Sequence, residues 1–222
     1  MKPIALNYLA FAVVIGFAGY GKAQTSPVKS VTWKIDNLNE IGGQPVTVMG
    51  NPQLIAAPAA VLFDGIDDGL VVKTNPIAGA RAFTLEAIFR PDASGSKEQR
   101  WFHIQQDNSE NRVLLETRLI GEEWFLDTFI KSGENSRPLY AENFKHPVGV
   151  WYHVALVYDG KEMRHYVDGK LELSGPLIIS PLDQGQTSIG VRMNRLYWFK
   201  GAIRKARFTA KALAPNDFMR KN

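Results

Sequence analysis

Tyr158-Asp-Gly-Lys-Glu-Met-Arg-His-Tyr-Val-Asp-Gly-Lys-Leu-Glu-Leu173 is the stretch that decides the fold class. It contains two Asp-Gly pairs, Asp159-Gly160 and Asp168-Gly169, each set between β-prone runs. Asp-Gly accepts the positive φ angles that tight hairpin turns demand. Two such turns in succession predict a three-stranded antiparallel meander rather than a helix. Upstream, Trp151–Tyr158 places Tyr152, Val154, Leu156 and Tyr158 on one side and Trp151, His153, Ala155 and Val157 on the other. Both sides are apolar, so this strand is expected to be central and covered.

The two-residue period extends over most of the chain. Phe83, Leu85, Ala87 and Phe89 share one face of a strand that Pro91 ends, with Thr84, Glu86, Ile88 and Arg90 on the other. Further strands are expected at 32–35, 46–49, 61–63, 70–72, 100–106, 112–120, 124–131, 187–191 and 202–208. About a dozen short strands with turn residues between them predict an all-β sandwich of two antiparallel sheets. The only helix expected is a short turn near 214–219, where Pro215 suits a first helical position.

The 222 residues suffice for one large β domain, and no low-complexity linker divides them. The start differs in character. Lys2, an apolar run from Tyr8 to Gly19, and the small residues Gly21 and Ala23 predict a secretory signal over 1–23, cleaved after Ala23. The run is short of the roughly 20 residues that span a bilayer. The mature domain is then 24–222, exported to a periplasm or beyond the cell. With no cysteine in the chain, its stability has to come from the core alone. The net charge of +4 includes Lys2 and Lys22 of the signal, so the mature chain is only weakly basic. From Arg192 onward, however, Lys and Arg far outnumber the single acid Asp217. That end is read either as a solvated face or as a surface for an anionic glycan, and export argues against nucleic acid.

Several ordered segments resemble bacterial laminin-G-like domains of the concanavalin A-like lectin/glucanase type. Phe63-Asp-Gly-Ile-Asp-Asp-Gly69 and Phe83–Pro91 resemble their opening strands. Trp151–Gly160 and Tyr166-Val-Asp-Gly169 resemble their central hairpin. Ser188-Ile-Gly190, Phe199-Lys-Gly-Ala-Ile203 and Ala212-Leu213 resemble their closing strand and tail. The resemblance implies a jelly-roll of two curved sheets, often used in carbohydrate or protein recognition, but the fold serves many activities. Where the family commonly has an acid after the closing Gly-x-Ile, this chain has Arg204. Asp64, Asp67 and Asp68 could be read as calcium ligands. With that acid replaced, they are read as a turn, and no metal or other cofactor is expected.

Enzymes of the laminarinase type carry the order Glu-x-Asp-x-x-Glu on one strand, and this spacing does not occur in the chain. A polar set is nevertheless legible. Alternation places Trp101, His103 and Gln105 on one face, and Arg112, Glu116 and Arg118 on a face of the next strand, with Asp127 on the strand after. If these strands adjoin, they form an aromatic and ionisable surface of the kind a sugar needs. The same set also reads as ordinary cross-strand ion pairs on a solvated sheet. Trp33 and Trp151 are expected in the core, Trp124 and Trp198 more open, with Trp198 either packed or touching a ligand. The leading expectation is a non-catalytic carbohydrate-binding domain for a polysaccharide or glycoconjugate. A polysaccharide hydrolase or lyase using this sheet face, and a protein-binding adhesion module, remain as alternatives.

Overall fold

The Asp-Gly turns shape the structure from its centre. In the computed structural model, which describes Met1 and residues 29–221, β13 (Tyr152–Tyr158), β14 (Glu162–Val167) and β15 (Lys170–Pro176) form the expected meander. Asp168 and Gly169 both take positive φ, +46° and +78°, the requirement of a two-residue hairpin turn. The Asp159 carboxylate accepts the backbone N–H groups of Lys161 and Glu162 and so fixes the first turn. The leader read at 1–23 and the new terminus at Gln24 lie outside the described residues.

The meander belongs to an eight-stranded sheet. Its other members are β1 (Ser30–Lys34), β4 (Gln53–Ala56), β5 (Ala59–Asp64), β7 (Phe83–Pro91) and β17 (Lys200–Thr209). The order is β15-β14-β13-β7-β17-β5-β4, with β1 also on β17. Facing it is a nine-stranded sheet in the order β11-β10-β9-β8-β16-β6-β3-β2, with β12 on β10. These strands are β2 (Glu40–Ile41), β3 (Gln44–Met49), β6 (Gly69–Val72), β8 (Glu98–Gln106), β9 (Arg112–Ile120), β10 (Glu123–Ser132), β11 (Asn135–Tyr140), β12 (His146–Pro147) and β16 (Gly185–Ile189). Every pairing is antiparallel. The all-β sandwich expected from the periodicity is the fold. Among the described residues the one helical element is a 3-10 turn at Pro215–Asp217, and no helix is long and apolar enough to cross a membrane.

One core joins the two sheets. Phe89 of β7 stacks on Trp101 of β8 at 4.3 Å between ring centroids and meets Trp124 of β10 edge-on at 5.1 Å. Trp33 packs edge-on against Phe208 at 4.7 Å. Each such ring contributes on the order of 2–3 kcal/mol by leaving water. Trp33 is in the core as expected, but two other tryptophans exchange places. Trp124, expected to be more open, is fully buried, because its parity along β10 matches that of Leu126 and Ile130. Trp151, expected in the core, precedes β13 and is half-buried between the guanidinium groups of Arg90 and Arg204.

The apolar outer side of β13 is covered by the end of the chain. Phe218 packs on Tyr166 and His153, over Ala155 and Val157, with Ala212 and Leu213 beside them. Beneath this tail Glu86 of β7 is fully buried and accepts from His153 Nε2, Arg207 Nε and the backbone N–H of Met219. Burial opposes its ionisation, but these three donors outweigh burial and hold the carboxyl below the usual range.

Candidate functional site

Strands β8, β9, β10 and β11 lie side by side, so alternate residues of each point to the outer face of the nine-stranded sheet. Their register aligns Arg100, Glu116, Asp127 and Tyr140 in a single row across the four strands. Leu114, Phe129 and Pro138 form a second row alongside. With Arg112, Arg118 and Arg192 these residues line a cleft of about 200 Å³.

Each acid in the cleft is met by an arginine. Glu116 accepts from Arg100 Nε at 2.8 Å, and Asp127 from Arg118 Nε at 2.8 Å. Glu98 completes the network through Arg118 and, at 3.7 Å, Arg100. Burial raises the Glu116 carboxyl to about 7, with the neighbouring Asp127 charge acting in the same direction and Arg100 and Arg118 against it. Burial likewise raises Asp127, opposed by Arg118. Aromatic rings flank these charges. Arg118 faces Tyr140 at 5.8 Å, Arg112 lies over Phe129 at 4.9 Å, and Arg100 over Tyr197 at 3.9 Å. Tyr140 is 57% exposed, an open ring at the edge of a charged floor.

His103 lies on the same face, between Leu114 of β9 and Ser188 of β16. The connection after β16 folds over it, and the Met193 N–H donates to His103 Nδ1 at 2.9 Å. The neutral ring therefore carries its hydrogen on Nε2. Burial, then the charges of Arg192, Arg112 and Arg100, lower the imidazole to about 3.

Of the residues read from the sequence, Arg112, Glu116, Arg118 and Asp127 come together in this cleft, with His103 enclosed beside them. Gln105 is on the same face but is turned to the Ser109 carbonyl. Trp101 does not share that face. A bulge between Arg100 and Phe102 inserts one residue, so Trp101 and Phe102 both enter the core and the alternation changes phase. Trp198 is half-buried with its ring against Gly69 and is not among the cleft-lining residues. The reading missed Arg100, Phe129, Tyr140, Arg192 and Tyr197. The adjacent aromatics Trp101-Phe102, which break strict alternation, are the signal that could have revealed Arg100.

Two other places in the fold gather polar side chains. The carboxylates of Asp64, Asp67 and Asp68 each bring an oxygen within 4.8 Å of one another. Asp68, however, accepts the Asn51 and Asp64 N–H groups, and Asp64 Oδ1 accepts those of Ile66 and Asp67. These hydrogen bonds close the turn, while Asp64 Oδ2 and the Asp67 carboxylate take no part in them. A larger hollow of about 350 Å³ lies under the chain end beside His153, Asp168 and Phe218. There His153 hydrogen-bonds Glu86 and Asp168 pairs with Lys221.

The sequence over residues 64–217 matches the family model described as the concanavalin A-like lectin/glucanases superfamily. No curated protein matches the chain. Among solved structures, similarity extends to domain 4 of AbnA, a GH43 extracellular arabinanase from Geobacillus stearothermophilus, in complex with arabinotriose. That match has a TM-score of 0.61 and 19% identity over 86% of this chain and 97% of the other. The binding domain of botulinum neurotoxin DC in complex with SialylT gives a TM-score of 0.60 at 18% identity, over 85% of this chain. The same toxin's binding domain in complex with rat synaptotagmin II gives 0.59 at 15%, also over 85%. The chain spans about half the length of these toxin domains, 49% in each case. Structures this distant in sequence speak for the fold, and with the family match they place the chain in the concanavalin A-like lectin/glucanase superfamily.

Proposed function

We propose that this is an exported, non-catalytic carbohydrate-binding domain whose ligand lies in the cleft on β8–β11. The observation that carries the reading is the row Arg100–Glu116–Asp127–Tyr140. It sets buried donors and acceptors, oriented by one another, beside an exposed aromatic ring. Sugars present hydroxyls around their edge and C–H groups on their face, and this surface complements both. Two solved structures on the same fold, in complex with arabinotriose and with SialylT, are consistent with it.

The way the acids are held supports a reading of binding without turnover. Glu116 Oε2 and Asp127 Oδ2 each accept from an arginine, which holds the two carboxylates as oriented acceptors for hydroxyls. His103 is a weak base at about 3, with Nδ1 already engaged. A hydrolytic reading has one observation in its favour, the elevation of Glu116 to about 7, which suits a general acid. The Arg100 hydrogen bond on Oε2 tells against it.

The test is a glycan array with the chain from Gln24, followed by calorimetric titration of the best oligosaccharide and assay for its cleavage. Tight binding with no cleavage is expected, and Tyr140→Ala should weaken it at least ~10-fold, about 1.4 kcal/mol, with melting unchanged. With Asp64 and Asp68 read as turn-forming residues, a calcium chelator should leave the affinity as it was. Folded protein that binds no glycan would refute the reading, and cleavage abolished by Glu116→Gln would replace it with the hydrolytic one. Export has its own check. N-terminal sequencing of protein recovered outside the cytoplasm should begin at Gln24, and an intact Met1 would contradict it.

A further inference from the structure

The charges of the cleft do not balance, and the imbalance is confined to one end. At the Tyr140 end, Arg100 and Arg118 meet Glu116, Asp127 and Glu98. At the other end Arg112 has for a partner only Glu110, on the exposed surface, and its buried Nε has no hydrogen-bond partner. Arg192 forms no ion pair among the described residues. Beside them His103 is fully buried, and its Nε2, which carries the ring's hydrogen, likewise has no acceptor. An unpaired buried donor costs on the order of 1–3 kcal/mol, and two adjoin here. Burial, and then the surrounding guanidinium groups of Arg192, Arg112 and Arg100, hold the imidazole neutral. Burial and Arg192 also push the Arg112 guanidinium below its usual range.

Like charges and unmet donors concentrated at one wall of a cleft define a site for an anion. Guanidinium forks match carboxylate and sulfate oxygens in pairs. Arg192 is carried by the connection after β16, the segment that seals His103 through Met193 and lays Tyr197 over Arg100. Arg195 and Tyr197 in that segment take φ of +60° and +66°, a conformation that costs energy outside glycine and must be held by its surroundings.

We propose that the ligand is an acidic oligosaccharide, with one anionic group of a sugar ring held by Arg112 and Arg192 and neighbouring hydroxyls on the Glu116–Asp127 side. This rests on the carbohydrate-binding reading above and narrows it to a charged substrate class. A carboxylate on a uronic acid and a sulfate ester share the chemistry required, namely two or more anionic oxygens in one plane or fork.

Three probes decide the matter by calorimetry: trigalacturonate, its carboxyl-reduced neutral counterpart, and a sulfate ester of that counterpart. An anionic probe is expected to bind at least ~10-fold more tightly than the neutral one, and to weaken as salt rises. Arg192→Ala should weaken the anionic probes far more than the neutral one and so remove most of that preference, with Arg192→Lys in between because a point charge lacks the fork. The tighter of the two anionic probes assigns the group as carboxylate or sulfate. Neutral and acidic probes binding equally, or Arg192→Ala weakening both alike, would overturn the proposal while leaving glycan binding in place. Absence of binding by all three, and by the wider array, would remove both.

Discussion

Trp101→Ala is expected to destabilise the domain by about 3–5 kcal/mol, the usual range for deleting a large buried aromatic. The ring is fully buried, stacked on Phe89 at 4.3 Å and within 5.9 Å of Phe199, so its removal leaves a cavity between the two sheets. At roughly 2–4 °C per kcal/mol for a domain of this size, the melting temperature should fall by about 6–20 °C. The position also carries the bulge that puts Arg100 and His103 on one face. With the ring gone, the anchor of the extra residue is lost, and a one-residue slip would turn His103 toward the core. Guanidinium unfolding read by circular dichroism measures the loss. A variant as stable as the parent but unable to bind sugar would mean that Trp101 faces the ligand, as unbroken alternation implies.

That contrast marks where sequence reading succeeds and where it stops. Alternation along β7, β9, β10 and β13 holds without interruption, so the faces of Phe89, Glu116, Asp127 and Val154 were all legible. Asp-Gly turns located β13–β15 because their φ angles are demanded locally. Strand β11 was not read. Asn135-Ser-Arg-Pro-Leu-Tyr140 alternates weakly and contains Pro138, which an edge position tolerates and a pattern search rejects. It nevertheless supplies Tyr140, the exposed ring of the cleft. Arg192 and Tyr197 come from a connection whose position depends on non-local contacts with β8, through Arg100 and His103. No local period encodes such contacts. Trp124 follows the exposed turn Gly121-Glu-Glu123, and its parity along β10 places the ring in the core.

The covered outer face of β13 was legible as a requirement, though not its cover, and the cover leads to the second large effect. Glu86→Ala is expected to destabilise the domain by about 3–5 kcal/mol, the range for breaking a buried charge pair by removing one partner. Glu86 is fully buried and joins β7 to His153 of β13, Arg207 of β17 and the backbone of Met219. Without it, Arg207 keeps only the Asp217 carbonyl, and Phe218 loses the bond that holds its neighbour against the sheet. The tail should then loosen over Ala155, Val157 and Tyr166, and trypsin should cut at Lys211 sooner than in the parent. The pH dependence has a definite sign. The Glu86 carboxyl is depressed in the folded state, so its contribution is complete above the ordinary glutamate value near 4.5 and is lost as pH falls through the lower, folded value. Parent and Glu86→Ala should therefore differ most in melting temperature at neutral pH and converge in strong acid. Glu86→Gln keeps an acceptor for Met219 while removing the charge opposite Arg207, so it should fall between them. A difference that persists undiminished to the lowest pH at which the parent remains folded would show that Glu86 acts by packing rather than by charge.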